Sequence, residues 1–208
     1  MMSNHYFGTI ISLFMKSELL ISNLSKHISL DSDETEFFIS LLKSKSLKSG
    51  EFLIHEGDIC RYESFVTNGC LKAYYESEDG AEHILDFLIE EWWADDLYSF
   101  LTQTPSKSSV KAIEDTELLQ ISKDDLETLY QKVPKFERFF RLLFQKAYIT
   151  QRDQINQMLS VPAEERYIQF LKRKPYALKR FSQKDIASYL GVTPQFFSSL
   201  KKKVDQLM

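Results

Sequence analysis

Near the carboxyl end of the chain, residues 182–204 read SQKDIASYLGVTPQFFSSLKKKV. Ser182 followed by Asp185 is typical of a helix-capping box, and Gly191 supplies the left-handed backbone on which many helices end. Thr193 and Pro194 provide a second helix start, because a threonine hydroxyl caps free N–H groups and proline needs no hydrogen bond at the first helical position. The pattern therefore predicts two short helices, over residues 183–190 and 194–204, joined by a tight turn.

The apolar residues of this segment are spaced so that the two predicted helices pack against each other. Ile186 and Leu190 on the first helix face Phe197 on the second, and the small Ala187 lets the backbones approach closely. This is the geometry of a DNA-binding helix-turn-helix, and the alternative is a helical hairpin that only packs on its neighbour. The candidate DNA-binding residues are Ser182, Thr193, Pro194, Gln195, Phe196, Ser198, Ser199, Lys201, Lys202 and Lys203.

Several of these side chains suit the recognition of a base pair. Gln195 offers the paired donor and acceptor that match adenine, and Phe196 can pack on a thymine methyl group. The lysines at 201–203 are placed for phosphates or guanine. Three lysines alone would carry little weight, since charge runs are usually solvated, so the prediction depends on the whole pattern.

Composition agrees with a nucleic-acid partner once the charge is divided along the chain. The 208 residues, 43% of them hydrophobic, suffice for one large domain or two small ones. The overall net charge is −4, but residues from Val161 onward hold ten Lys or Arg and four Asp or Glu. The net charge is therefore +6 in that part and −10 in residues 1–160. Positive charge lies where phosphate binding requires it.

The sequence indicates neither an enzyme nor a metal centre. Cys60 and Cys70 are too few for a disulfide framework or a four-thiolate cluster, which suggests reduced residues in a cytoplasmic protein. The four histidines are scattered, with no two at metal-ligand spacing, and no phosphate-binding loop or catalytic serine motif occurs. The apolar run over residues 6–15 is too short to span a bilayer, so we expect a packed helix or a frayed arm there.

Upstream of the basic region, the pattern changes from helical to strand-like and back. Residues 17–45 have helical spacing, with Asp31 or Ser32 able to cap a second helix. Residues 46–121 contain short apolar runs separated by turn signals such as Asn68-Gly69 and Asp79-Gly80. Short strands at this spacing predict an antiparallel barrel or roll rather than a parallel sheet.

A long apolar stripe follows over residues 136–159. A helix this apolar does not stand alone, so it is either part of the core or, as we favour, the seam of a dimer. The candidate dimerisation residues are Phe136, Phe140, Leu143, Phe144, Ala147, Tyr148 and Ile155. We therefore predict an α+β protein with an N-terminal helical segment (1–45), an antiparallel β-roll (46–133), a dimerisation helix (134–160) and a winged helix-turn-helix (161–208).

The motifs of residues 46–208 together resemble the cyclic-AMP receptor and fumarate-nitrate regulator (Crp/Fnr) family of bacterial transcription factors. The resemblance rests on the roll signature of Glu51, 56–58 (EGD), Asn68-Gly69 and Asp79-Gly80, and on further stretches that look like one branch of the family. These are DLYSFLTQTP (96–105), PKFERFF (134–140), PAEERY (162–167) and IASYLGVTP (186–194). The resemblance implies a cyclic-nucleotide-binding-like sensor, a homodimer on a two-fold operator, contact with RNA polymerase and a ligand switch in the roll.

The implied effector pocket departs from the family pattern. Members that bind cyclic nucleotides have a Gly-Glu pair for the ribose and, about ten residues later, an arginine that holds the phosphate. This chain has Asp95-Asp96 at the first position and no arginine near Ser106, so an anion would meet repulsion unless Lys107 compensates. We expect no cyclic nucleotide or iron-sulfur cofactor and leave open an unknown small-molecule effector. The pocket residues implied are Asp95, Asp96, Leu97, Ser106, Lys107, Ser108 and Gln151.

The second predicted helix, which would contact the bases, also differs from the family pattern. The family commonly reads bases with Glu and, four positions on, Arg, whereas this chain has Gln195 and Ser199. We therefore expect a different operator and weaker specificity, with lysines supplying affinity through phosphates.

Two hypotheses from other classes stay open at this point. One is a cyclic-nucleotide or other small-molecule binding module without DNA output, which predicts tight ligand binding and no operator. The other is an enzyme on a cupin-like barrel, which needs clustered histidine and glutamate ligands.

Overall fold

The computed structural model describes residues 17–205, and the expectation of a packed helix or frayed arm at residues 1–16 lies outside them. The chain divides into two compact units. The first holds the described residues up to Ala73 together with Phe87–Leu143. The second holds Tyr74–Asp86 together with the chain from Phe144 onward.

Two helices precede the sheets: α1 over residues 17–25 and α2 over Ser32–Leu41. A capping box starts α2, because the Asp31 carboxylate accepts from Glu34 N and the Glu34 carboxylate accepts from Asp31 N, both at 2.9 Å. Asp31 is thus confirmed as a cap. The expected helix through residue 45 is wrong, since Leu42 already has extended backbone (φ −80°, ψ 146°) and a strand begins at Lys43.

Seven strands among the described residues form the antiparallel roll that the turn spacing predicts. They are β1 Lys43–Leu47, β2 Phe52–Ile54, β3 Tyr62–Asn68, β4 Leu71–Glu76, β5 Glu82–Leu88, β6 Ser109–Ala112 and β7 Thr116–Ser122. One sheet has the order β1-β7-β3 and the other the order β2-β6-β4-β5. Gly69 turns between β3 and β4 with φ +92°, and a Cβ there would lie 2.5 Å from the Asp115 carbonyl oxygen. Only glycine fits this turn.

Three further helices follow or interrupt the strands: α3 Leu97–Thr102, α4 Lys123–Lys132 and α5 Lys135–Ser160. The start of α5 closes the core of the first unit with aromatic rings. Phe136 packs on Phe38 with ring centroids 4.7 Å apart, and Phe140 meets Trp93 edge-on at 5.3 Å. No helix among the described residues is long and apolar enough to cross a membrane.

These contacts correct part of the predicted dimer seam. Phe136 and Phe140 are 0% and 1% exposed within their own chain, so they belong to its core and cannot line an interface. The apolar stripe is therefore divided, because its first two turns pack into the core of the first unit. The other candidates, Leu143, Phe144, Ala147, Tyr148 and Ile155, are partly or fully exposed.

The second unit continues with α6 Ala163–Arg173, α7 Ala177–Arg180, α8 Gln183–Tyr189 and α9 Pro194–Asp205. The predicted wing is not observed, because no strand forms among the described residues after 160. The segment between α6 and α8 instead folds as the short helix α7, which is anchored by the buried Ala177 and Phe181.

Candidate DNA-binding surface and effector pocket

The caps predicted for the helix-turn-helix are present. Ser182 Oγ accepts from Asp185 N at 3.0 Å and donates to the Asp185 carboxylate at 2.7 Å, which starts α8. Gly191 has φ +65° and ends the turn after α8, while Thr193 Oγ1 accepts from Phe196 N at 3.2 Å at the start of α9. The two helices therefore begin and end within one residue of the predicted bounds.

The inner faces of α8 and α9 form one small core. Ile186 and Ala187 of α8 are fully buried, as is Phe197 of α9. Tyr167 of α6 supports this pair, with its ring perpendicular to that of Phe197 at 5.2 Å. Because one side of α9 is fixed in this way, its other side is presented outward as a defined edge.

That outward edge carries most of the candidate DNA-binding residues. Phe196 is 52% exposed, so much of its ring is accessible on this edge. Lys201 is half-buried. The exposed members of the edge are Thr193, Pro194, Gln195, Phe196, Ser198, Ser199, Lys202 and Lys203. The predicted division into buried and outward residues is observed, and contact with DNA stays a prediction.

Four candidates have side chains engaged within the chain, and two of these, Thr193 and Ser199, bond only the backbone of α9 itself. The Ser182 hydroxyl is used by its cap on α8 and does not lie on α9. The Lys203 ammonium pairs with the Glu164 carboxylate of α6. Lys201 and Lys202 are therefore the lysines of the run better placed to hold phosphates.

The predicted effector pocket contains a closed hydrogen-bond network centred on Asp96. One carboxylate oxygen accepts from Ser99 N at 3.0 Å and caps α3. The other accepts from the Ser106 hydroxyl and, at 3.0 Å, from the Ser108 hydroxyl. A carboxylate of the chain thus uses the donors that a bound anion would need.

The loop that carries these serines is fastened to the turn after β2. Ser106 N donates to Asp58 O at 2.8 Å, and Ser106 O accepts from Gly57 N at 2.9 Å. Ser99 Oγ, which the sequence did not single out, accepts from Cys60 N at 2.9 Å. Backbone groups of the segment after β2 therefore bond both the loop that carries Ser106 and the helix that carries Ser99.

The remaining pocket candidates do not join this network. Leu97 opens α3 and is half-buried, while Lys107 is exposed and makes no ion pair with Asp96. Gln151 lies exposed on the part of α5 that belongs to the second unit. Trp92 and Tyr98 are also exposed, at 36% and 66%, so the site is closed by Asp96 rather than by aromatic rings.

Beside Asp96, the pocket candidate Asp95 pairs with Glu63, a buried residue that the sequence analysis did not single out. Glu63 of β3 is completely buried, and neither of its carboxyl oxygens receives a hydrogen bond from a protein donor. Burial, followed by the charge of Asp95 and a hydrogen bond with it, raises the pKa of Glu63 well above its ordinary value. The pKa of Asp95 is also raised, because the effect of burial, to which the charge of Asp96 adds, exceeds the opposing effect of the hydrogen bond from Glu63. Ionisation of both carboxyl groups is therefore disfavoured in the folded chain.

The same pocket perturbs two further groups. Burial raises the pKa of the Cys60 thiol to about 11, with the charge of Asp95 adding to the effect. Burial and then the charge of Glu63 raise the pKa of the Tyr130 phenol. Both groups therefore stay neutral, and the described residues contain no cluster of three or more possible metal ligands. The one sequence signal of this pocket is the glutamate inside the apolar run of β3.

Comparison with known proteins covers both the roll and the whole chain. Residues 44–133 match the model of the cyclic nucleotide-binding domain family. Over 201 residues the chain is 26% identical to an anaerobic regulatory protein of Haemophilus influenzae, covering 90% of this chain and 77% of the relative. Over 198 residues it is 28% identical to the fumarate and nitrate reduction regulatory protein of Vibrio cholerae, covering 86% and 76%.

Solved structures show the same fold. FixK2 of Bradyrhizobium japonicum superposes with a TM-score of 0.69 at 20% identity, covering 80% of this chain and 85% of that chain. The c-di-GMP-responsive global regulator CLP of Xanthomonas campestris superposes with a TM-score of 0.68 at 16% identity, covering 85% and 92%. At these identities the likeness concerns the arrangement of the roll and the helices.

Proposed function

We propose that this chain, which belongs to the Crp/Fnr family of regulators, binds duplex DNA as a homodimer and needs no cyclic nucleotide to do so. Its curated relatives are regulatory proteins rather than enzymes. The roll, beginning at Lys43, is the sensor domain in this proposal; residues 134–160 join the protomers and residues 161–208 bind DNA. We also propose that the DNA-bound protein contacts RNA polymerase, because a regulator of this family acts where transcription starts. For the same reason we propose that it is located in the cytoplasm.

The observation that carries the proposal is the outward edge of α9. Gln195 and Ser199 lie one helical turn apart on this edge, with the exposed Phe196 beside them. Such an edge fits a major groove, where Gln reads adenine and an apolar group contacts a thymine methyl. The net charge of +6 from Val161 onward supplies the attraction to phosphates.

The exposed half of α5 is suited to pack against the same helix of a second copy of the chain. Tyr148 is 65% exposed and Leu159 is 82% exposed, and Ile155 lies between them at coiled-coil spacing. Ile149 and Met158 extend the apolar surface and were not among the predicted residues. A stripe of this kind on a helix is stabilised by a two-fold copy of itself. Two copies of α9 must then lie roughly 34 Å apart to enter successive major grooves.

The closed network at Asp96 supports independence from a cyclic nucleotide. A phosphate placed beside Ser106 and Ser108 would meet the Asp96 carboxylate, and no arginine of residues 104–110 is available to offset that repulsion. The hydroxyl groups that an anion would need already donate to Asp96. The effector pocket is thus degenerate in this proposal.

The decisive experiment is selection of duplexes from a random-sequence library by the purified full-length chain. We expect a two-fold sequence to be enriched and the complex to contain two protomers, with no change in affinity when cyclic AMP or cyclic GMP is added. Gln195→Ala is expected to change the enriched sequence, whereas Thr128→Ala, on the surface of α4, is expected to leave it unchanged. If no sequence is enriched while calorimetry detects tight nucleotide binding, the chain is a small-molecule binding module instead.

A further inference from the structure

Strand β5 is bonded through its open edge to α8, the first helix of the helix-turn-helix. Ser188 Oγ donates to Glu82 O at 2.7 Å and accepts from Ile84 N at 3.0 Å. β5 is the last strand of its sheet, so these two backbone groups have no strand neighbour on that side. One hydroxyl group therefore satisfies a donor and an acceptor of an exposed strand edge.

Two more side chains of the same unit bond the next residues of β5, Leu85 and Asp86. Gln154 of α5 donates its side-chain amide to Leu85 O at 3.0 Å. Lys174, directly after α6, pairs with Asp86 at 2.9 Å, and the two side chains are only 7% and 25% exposed. Removing one partner of so buried a pair leaves an uncompensated charge, which makes the contact costly to break.

We propose that these contacts, named here the β5 brace (Ser188, Gln154 and Lys174 with residues 82–86), position the helix-turn-helix for DNA binding in the role an effector would otherwise have. The inference rests on the proposed function. The effector pocket is occupied by Asp96, so a ligand there cannot set the position of the DNA-binding helices. The brace can, because the residues it bonds belong to β5, a strand of the sheet with the order β2-β6-β4-β5.

Few contacts separate the β5 brace from the outward edge of α9. Ser188 lies on the same helix as Ile186 and Ala187, which pack against the core side of α9. A helix held at Ser188 therefore holds α9 through a rigid packed contact. Ser188 is in this sense a positioning residue: it contacts no DNA, and its effect passes through α8.

The test uses the full-length chain and the duplex of highest affinity from a random-sequence selection. Ser188→Ala removes the hydroxyl without lowering helix propensity, and Asp86→Asn weakens the ion pair from the strand side. We expect the Ile84 amide to exchange hydrogen about tenfold faster in Ser188→Ala, and the Kd for the duplex to rise about tenfold in both variants. Ser188→Thr keeps the hydroxyl and is expected to restore both values to near those of the wild type.

Thr128→Ala is the matched control, since that exposed hydroxyl donates to Asp124 O within α4. It is expected to change neither measurement. The inference is overturned if the Ile84 amide exchanges faster in Ser188→Ala while the affinity for DNA stays the same or increases. An unchanged affinity would mean that the contact only stabilises the fold, and an increased affinity would mean that it opposes DNA binding. The inference is overturned as well if Ile84 exchange is unchanged in Ser188→Ala. Failure of the wild-type chain to bind any duplex would instead remove the proposed function, which the exchange measurement alone does not test.

Discussion

The Asp96 carboxylate lies 3.0 Å from the Ser108 hydroxyl, which donates to it across the loop that follows α3. The same carboxylate oxygen accepts from Ser106, and the other oxygen caps α3 through Ser99 N. Asp96 thus joins the segment before α3 to the loop after it. Its role is structural, and this follows from geometry that the sequence alone did not reveal.

Replacing Asp96 with Ala is expected to destabilise the protein by about 1–3 kcal/mol, because a helix cap is lost and two hydroxyl donors lose their acceptor. Urea unfolding at neutral pH measures the change in the free energy of unfolding. Asp153→Ala, at an exposed position in the middle of α5, is the control and is expected to stay within about 0.5 kcal/mol of the wild type. An Asp96→Ala variant as stable as the control would contradict the network.

The buried Glu63 makes a prediction about pH. Its pKa is raised in the folded state, so folding retains a proton that the unfolded chain gives up near the ordinary value of 4.5. The stability contributed by the neutral carboxyl is therefore fully present below that value and is lost as the pH rises toward the folded pKa. Glu63→Gln keeps a hydrogen-bond donor for Asp95 and has no proton to lose.

We expect Glu63→Gln to be more stable than the wild type at pH 8, by up to about 1.4 kcal/mol for each unit by which the folded pKa exceeds the unfolded one. The difference is expected to shrink toward pH 5. Thermal or urea unfolding across this range measures it, with Glu127→Gln on the surface of α4 as the control. An advantage of Glu63→Gln that grew as the pH fell would contradict a raised pKa of Glu63 in the folded chain.

The helix-turn-helix could be predicted from the sequence because its signals are local. Caps at Ser182 and Thr193 and the turn at Gly191 act within four residues, so the helix-turn-helix could be placed almost to the residue. The predicted wing is not observed among the described residues, and two residues of the predicted dimer seam belong to the core, because tertiary packing decides both outcomes. The aromatic residues of α5 look alike in sequence, and only the presence of Phe38 and Trp93 opposite Phe136 and Phe140 assigns those two to the core.

The candidate site divides in the same way. The outward edge of α9 follows from helical periodicity, which fixes the direction of each side chain. The closure of the effector pocket does not follow from a local pattern. The sequence shows that an arginine is absent, but the hydrogen bonds of Asp96 with Ser106 and Ser108 join residues ten or more positions apart. Glu63 and Asp95 are more distant still in the chain, so the sequence shows each carboxyl group but not that the two lie together.

Replacing both Lys201 and Lys202 with Ala is expected to weaken DNA binding at low salt and to flatten its salt dependence. Each lysine that neutralises a phosphate contributes about 0.9 to the slope of log K against log salt concentration. The slope measured by fluorescence anisotropy is therefore expected to fall by up to about 1.8 per protomer. Lys203→Ala is expected to have a smaller effect, because its ammonium pairs with Glu164. Lys45→Ala, on β1 of the roll, is the control, and an equal slope for it and the double variant would mean that α9 does not contact the duplex.

Replacing Leu159 with Glu is expected to shift the protein from dimer to monomer. Leu159 is 82% exposed in the single chain, so a charge there costs the monomer little, but it would be buried against the twofold copy in the dimer. Loss of a buried leucine costs about 1.5–3 kcal/mol for each protomer, which raises the dimer dissociation constant on the order of 100-fold or more. Sedimentation equilibrium measures this constant. Lys146→Glu places a negative charge on the opposite face of α5 and is expected to remain dimeric. If both variants dimerise like the wild type, the interface lies elsewhere on the chain, and the exposed stripe of α5 must bind a different partner.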